Sequence, residues 1–203
     1  VKQDALYISE AIKDGSFFKN NAFHQAIHHV KKYKTSVHLM GLLSNHNSAH
    51  SCPEHLYALL EFLHIEKIKH VYLHLFTDGR DSGQFEASKH LRLLEKHFYG
   101  NEKIATITGR VYAMDRNKNW ERTKSAYEAM VLGKGYKANT AEDALRNSYN
   151  KGESDEFLLP SIIMEKGKPV ATIKENDAVL FFNLRSDRSR QLTKAFVQPS
   201  LKE

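Results

Sequence analysis

Apolar residues recur with a helical period in six stretches of this chain, and short extended runs lie between them. Phe23, Ala26, Ile27 and Val30 follow the i, i+3, i+4, i+7 spacing of a helix that buries one face, and Leu56, Leu59, Leu60 and Leu63 repeat it. Leu91, Leu94 and Phe98 mark a third such helix, Trp120, Tyr127 and Val131 a fourth, and Ala141, Ala144, Leu145 and Ser148 a fifth. An opening helix runs through Ala5, Ile8 and Ile12, with Gly15 as its C-terminal stop. Strand character appears at residues 36–43, 70–76, 103–108 and 178–183. Two further segments, 161–164 and 169–173, flank the turn-like Glu165-Lys166-Gly167-Lys168 and predict a hairpin.

Strands that alternate with helices need crossover connections, and these are right-handed and give a largely parallel sheet. The hairpin falls between the last of these helices and the last strand, so the sheet is predicted to be mixed. The expected fold is α/β: a three-layer arrangement of a largely parallel (mixed) sheet flanked by helices, with a β-hairpin before the last strand. Residues 1–203 are expected to form one domain.

The loops after the predicted strands carry the chemistry. After residues 36–43 comes Ser44-Asn45-His46-Asn47-Ser48-Ala49-His50-Ser51, and after 70–76 comes Asp78-Gly79-Arg80-Asp81. After 103–108 come Gly109-Arg110 and Met114-Asp115-Arg116, and after 178–183 comes Arg185-Ser186-Asp187-Arg188. In an open parallel α/β sheet, ligands bind where the loops at the carboxyl ends of the strands meet. Arg80, Arg110, Arg116, Arg185 and Arg188 are therefore expected at one edge, with Asp81, Asp187 and His50 among them. Guanidinium groups repel one another, so a fold keeps five together only if carboxylates or a ligand offset the repulsion. Their planar forks grip carboxylate or phosphate in bidentate fashion, which points to a small polyanion carrying both groups.

Other polar patterns read as structure. Ser51-x-x-Glu54 has the form of a capping box, with Pro53 tolerated in the first turn, and it sets His50 just ahead of a helix N-terminus. His70 and His74 alternate with Val71, Leu73 and Leu75 and read as the polar face of a strand. His24, His28 and His29 lie opposite the Phe23/Ile27 stripe and read as a solvated helix face. His24 and His28 have metal-compatible spacing, but no third ligand is nearby. Walker, dinucleotide-binding and nucleophile-elbow motifs are all absent from the sequence.

Composition narrows the class further. The chain has 203 residues, 41% hydrophobic and 27% charged, which fits a soluble globular domain and excludes a disordered or fibrous one. No apolar run approaches the length of a membrane span, so no membrane partner is expected. The start, Val1-Lys2-Gln3-Asp4, lacks both a methionine and an apolar signal region, which suggests a processed or excised piece. Cys52 is the single cysteine and can form neither an intrachain disulfide nor a paired-cysteine zinc site, so a reducing cytoplasm is the expected compartment. Thirty basic residues against 24 acidic give +6, a balance open to anionic metabolites or nucleic acid. Arginines interleaved with carboxylates, without an aromatic stacking platform, argue against nucleic acid.

The motifs also resemble those of the cofactor-independent (2,3-bisphosphoglycerate-independent) phosphoglycerate mutases, over nearly the whole chain. The resemblance rests on Asp14-Gly15-Ser16-Phe17-Phe18-x-Asn20, His38-Leu39-Met40-Gly41-Leu42-Leu43-Ser44 and Asp78-Gly79-Arg80-Asp81. It continues through Gly109-Arg110-x-Tyr112-Ala113-Met114-Asp115-Arg116, Trp120-Glu121-Arg122, Ser148-Tyr149, Asp155-Glu156-Phe157 and Phe181-Phe182-Asn183-Leu184-Arg185-Ser186-Asp187-Arg188. It covers only the inserted substrate-binding, or phosphotransferase, domain of that two-domain enzyme.

The resemblance implies that His50, Arg80, Asp81, Arg110, Arg116, Arg185 and Arg188 contact phosphoglycerate. It assigns the catalytic role to Asp81, which would orient or deprotonate the accepting hydroxyl while the arginines hold carboxylate and phosphate. The implied reaction interconverts 3-phosphoglycerate and 2-phosphoglycerate in glycolysis. A serine and two manganese ions in the other, metal-binding domain carry the phosphate, and no metal ligands are implied in this chain. That domain is missing here, so the isolated chain is expected to be an inactive part of an isomerase. The alternative is a stand-alone small-anion-binding domain without catalysis. The first loop departs from the family's usual Ser-Asp-Gly-Gly-Val-His-Ser: it is one residue longer and lacks both glycines, which leaves either His50 or His46 for the family histidine's role.

Overall fold

A computed structural model describes residues 4–198. In chain order the elements are α1 (Asp4–Asp14), α2 (Asn21–Tyr33), β1 (Val37–Leu43), α3 (Pro53–Ile65), β2 (Val71–Thr77), α4 (Ala87–Glu95) and β3 (Glu102–Gly109). They continue with α5 (Arg110–Ala113), α6 (Trp120–Leu132), β4 (Tyr136–Ala138), α7 (Ala141–Tyr149), β5 (Ser161–Glu165), β6 (Lys168–Pro169), β7 (Ala178–Phe181) and α8 (Ser186–Val197). Local chemistry sets several boundaries. Asn20 Oδ1 accepts from Ala22 N at 2.9 Å to start α2, and Thr140 Oγ1 accepts from Asp143 N at 3.0 Å to start α7. The chain leaves α1 through Gly15 at φ +78°, as its sequence position predicts.

The sheet runs β4-β5-β3-β2-β1-β7, with β6 paired to β5. β7, β1, β2 and β3 are mutually parallel, whereas β5 is antiparallel to β3 and to β6. The sheet is therefore mixed, with the hairpin before the last strand, and the α/β expectation holds. Every residue of β1 is buried, the signature of a parallel strand covered on both faces. Alternate residues of the strands feed two separate cores. Val37, Leu39, Leu73, Leu75 and Ile107 pack with α2, α3, α4 and α7 through Ile27, Leu60, Leu91 and Leu145. Met40, Leu42 and Phe76 pack with α5, α6 and α8 through Ala113, Met130 and Leu192. This period-2 division of side chains makes the three layers. Among the described residues no helix is long and apolar enough to cross a membrane.

Four features depart from the sequence pattern. β4, α5 and α8 have no counterpart in the sequence pattern: β4 and α5 are too short to show a period, and α8 fully buries only Gln191 and Leu192, with Phe196 packing at the edge of the second core. The third helix ends at Glu95, short of Phe98, which packs on the core from the following turn. The capping box does not form. Cys52 is the N-cap of α3, and Glu54 accepts from the Cys52 thiol at 3.0 Å instead of reaching back to the backbone of Ser51. His74 does not lie on a solvated strand face, because helices cover both sides of β2 and it is completely buried.

The buried imidazoles form a chain across the sheet. His38 lies 3.2 Å from Asp177 Oδ2 through Nε2 and 2.9 Å from His74 Nε2 through Nδ1, and His74 Nδ1 lies 2.9 Å from Thr106 Oγ1. A carboxylate only accepts, which assigns the direction of every bond: His38 donates to Asp177, His74 donates to His38, and Thr106 donates to His74. Both rings are neutral in this arrangement. Burial pushes the His38 pKa down despite the Asp177 charge, and burial, with the His38 ring beside it, pushes His74 well down. Unfolded, both rings take a proton near pH 6.5, so below that pH the unfolded chain binds more protons than the folded one. Stability from this pair is complete above about pH 6.5 and is lost on acidification. We expect one cooperative thermal transition by circular dichroism, with a midpoint that drops between about pH 7.5 and 5.5. A featureless melt would count against the fold, and a midpoint flat across that range would count against the neutral histidine chain.

Candidate functional site

The parallel strands β7, β1, β2 and β3 end on the same side of the sheet, and the loops that leave them meet there. β3 runs directly into α5, so Arg110 starts that short helix from inside the crevice and is only 2% exposed. Its Nη1 donates to Asp78 Oδ1 and, at 3.0 Å, to Asp81 Oδ2. Asp78 is equally buried; it accepts from Ser44 Oγ at the end of β1 and from the backbone N–H groups of Arg80 and Asp81 at 3.2 and 3.0 Å. Ser48 Oγ donates to Asp81 Oδ2 at 2.9 Å and accepts from His50 N at 3.2 Å. The His50 carbonyl accepts from Leu184 N at 2.7 Å, which ties the first loop to the segment after β7.

Two glycines let the backbone close around this cluster. A side chain on Gly109 would stand 2.4 Å from the Glu156 carbonyl oxygen, and one on Gly79, at φ +68°, would stand 2.7 Å from Glu156 N. The 155–157 turn thus presses against the ends of β2 and β3. Buried Asp155 fastens it there by accepting from Glu86 N and Ala87 N, each at 2.9 Å.

The remaining arginines form the open side. Asp187 Oδ2 accepts from Arg116 Nη1 at 3.0 Å and from Arg185 Nη2 at 3.3 Å. Arg188, half-buried in the first turn of α8, donates to the Met114 carbonyl at 3.3 Å. Arg80 is the most exposed member and lies 3.7 Å from Glu156. Asp115 shapes the Arg116 loop by accepting from Asn117 N, Asn119 N and Gln191 Nε2, each at 3.0 Å.

The clustered guanidinium groups shift the groups beside them. Burial pushes the Arg188 pKa down, and the charges of Arg110, Arg116 and Arg80 push it further. Burial and the charges of Arg110 and Arg185 likewise hold His50 below its ordinary value, against the pull of Asp81 and Asp187. Burial pushes the Asp81 carboxyl up, but hydrogen bonds from Arg110 and Ser48, with the Arg110 charge, outweigh it and keep Asp81 below its usual range. Buried His50 Nδ1 has no partner, and neither have the buried donors Arg110 Nε and Arg188 Nε. Such donors call for an acceptor, and phosphate or carboxylate oxygens would supply it.

All seven residues singled out from the sequence lie around this crevice. His50 is buried in it, whereas His46 is exposed on the opposite side of the first loop and pairs with Glu54. Ser44, Ser48 and Asp78 stand in the same post-strand loops, but sequence reasoning assigned them no role. Their signals were position at a strand's carboxyl end and, for Ser44 and Asp78, membership of the resembling motifs. The crevice does not suit a divalent cation: Arg110 engages Asp78 and Asp81, Arg116 and Arg185 engage Asp187, and the charge facing the opening is positive.

The domain is an open α/β sheet with arginines clustered at its carboxyl edge. The comparisons then specify the family. The family model described as BPG-independent PGAM N-terminus matches residues 8–203. The chain is 50% identical over its full length to a 2,3-bisphosphoglycerate-independent phosphoglycerate mutase from Chloroflexus aggregans, and 48% identical over 96% of its length to one from Clostridium novyi. It spans about 38% of the length of each. A crystal structure of Leishmania mexicana phosphoglycerate mutase at low cobalt concentration aligns over 99% of this chain and 38% of its own, at TM-score 0.89 and 28% identity. The chain belongs to the 2,3-bisphosphoglycerate-independent phosphoglycerate mutase family.

Removing Arg110 should be far more damaging than removing a rim arginine. Arg110→Met leaves the Asp78 carboxylate buried without its counter-ion, a change that costs about 3–5 kcal/mol. Arg116→Ala breaks a half-exposed pair worth up to ~1 kcal/mol. Urea unfolding should separate the two clearly, and similar losses would contradict the central place of Arg110.

Proposed function

We propose that residues 1–203 form the substrate-binding domain of a phosphoglycerate mutase that interconverts 3- and 2-phosphoglycerate. The reading is carried by the buried, unpartnered Nε donors of Arg110 and Arg188 at the centre of an arginine crevice, within a chain of this family. Arg185 and Arg188 grip one anionic group of the substrate, and Arg80, Arg110 and Arg116 hold the other. Asp81, ionised and turned toward the crevice by Ser48 and Arg110, accepts the hydrogen of the substrate hydroxyl that is to take the phosphate. His50 contributes Nδ1 near the phosphoryl group. Holding the glycerate in place makes the return of the phosphate effectively intramolecular.

The phosphate carrier itself belongs to the remainder of the family's enzyme. Ser44 and Ser48, whose hydroxyls donate to Asp78 and Asp81, lie in no metal-nucleophile motif. The manganese pair that the resemblance implies has no suitable ligands in the crevice, and no step here runs through it.

Titration calorimetry with 3-phosphoglycerate tests the binding. Arg185→Ala or Arg188→Ala should each weaken it by about 1.5–3 kcal/mol, the worth of a hydrogen bond to a charged group. Undiminished binding in both variants would place the site elsewhere. Alone, the chain should not turn over 3-phosphoglycerate, with or without manganese. Grafted into a complete family member in place of the corresponding segment, it should support activity that Asp81→Ala abolishes. An active Asp81→Ala chimera would remove Asp81 from the mechanism.

A further inference from the structure

The first loop carries a second cluster, of different chemistry from the arginine crevice. His46 Nδ1, Cys52 Sγ and a Glu54 carboxylate oxygen lie within 4.8 Å of one another. Glu54 Oε2 is the hub, 3.2 Å from His46 Nδ1 and 3.0 Å from Cys52 Sγ. In a tetrahedral zinc site, bonds of about 2.0 Å to nitrogen and oxygen and 2.3 Å to sulfur set ligand atoms roughly 3.3–3.6 Å apart. His46 Nδ1 and Cys52 Sγ each stand slightly closer than this to Glu54, so small side-chain movements would seat an ion among the three. His46 and Glu54 are exposed and Cys52 is half-buried, so an ion can enter and the side chains can adjust.

A second observation concerns the ground beneath the cluster. The three residues edge a cavity of about 220 Å³ that Ser51 and His90 also line. Ser51 Oγ and His90 Nε2 have no hydrogen-bond partner, although the residues are only 4% and 8% exposed. The nearest charged group to His90 Nε2 is Glu86, at 3.6 Å. Buried polar atoms left without partners mark places where water or an ion belongs.

We propose that His46, Cys52 and Glu54 form a binding site for a zinc-type divalent cation, with a fourth position open to water on the cavity side. A sulfur, a nitrogen and an oxygen donor together select zinc or cobalt over magnesium or manganese, which prefer oxygen alone. The cation takes the place of the thiol proton that now bridges Cys52 and Glu54, and that proton leaves to solvent. The site is separate from the crevice, since none of its donors bonds Arg110, Asp78 or Asp81. It adds a metal site to a chain whose motifs implied none, and it does not depend on the proposed mutase role. A bound cation would join the two ends of the loop that carries Ser48 and His50, and so brace that loop against the crevice.

Cobalt(II) titration of the 203-residue chain tests the site directly. Cys52 is the only cysteine, so a thiolate-to-cobalt charge-transfer band in the near ultraviolet reports this position alone. The band should saturate at one equivalent and be bleached by zinc. It should vanish in Cys52→Ser and require at least about tenfold more cobalt in His46→Ala and in Glu54→Gln, the loss that even supporting residues of metal sites produce. Zinc should also slow alkylation of Cys52 in the parent chain and fail to do so in Glu54→Gln. The proposal is overturned if the chain, folded by circular dichroism, gives no band and no protection. It is equally overturned if the His46 and Glu54 variants bind cobalt as the parent does, which would mark binding by a lone thiol.

Discussion

Everything at the carboxyl edge of the sheet depends on the buried guanidinium of Arg110. A cation taken out of water is tolerated only when its partners are close and well oriented. Here two carboxylates from the loop after β2 converge on a single Nη1, and each is held by other groups: Asp78 by Ser44 and two backbone N–H groups, Asp81 by Ser48. One side chain from the end of β3 thereby sets the conformation of the loops after β1 and β2. At its centre the Arg110–Asp78 pair is shut away from water, so neither group can exchange its partner for solvent.

This use of the carboxylates explains why the crevice remains cationic. Asp78 and Asp81 are committed to Arg110, and Asp187 is shared between Arg116 and Arg185, so little negative charge is left for Arg188. Its pKa is pushed down by burial and by the surrounding guanidinium groups. Such repulsion is a standing cost of gathering these guanidinium groups at one edge.

The first loop works at two levels in this scheme. Its middle belongs to the crevice through Ser48 and His50, while His46 near its start and Cys52 and Glu54 at its end turn away to meet beside a separate cavity. Residues 44–51 include no glycine, and the loop's path is set by side chains that bond at both ends and the middle.

Much of the fold was legible in the residues themselves. The helical spacing at Phe23–Val30 and Leu56–Leu63, the four main strand runs and the hairpin turn formed, because periodicity records which face of an element must be buried. The hairpin's second strand stops at Pro169, and residues 170–173 are irregular. The arginines also gathered, since alternation of strand and helix places every post-strand loop at one edge. Short-range patterns failed where tertiary partners competed for the same atoms. Glu54 matched a capping box, but its carboxylate is taken by Cys52 and His46. His74 matched a polar strand face, but burial of both faces of β2 turned it into a link of an internal hydrogen-bonded chain. The sequence by itself determined the layers, the edge at which the polar loops meet and the clustering of arginines there. Only the tertiary structure decided that Arg110 is the buried centre while the other arginines stay at the rim, and that His50 rather than His46 faces them. Both outcomes depend on desolvation and on contacts between residues 30 or more positions apart, such as Arg110 with Asp78 and Ser48 with Asp81, which no local pattern encodes.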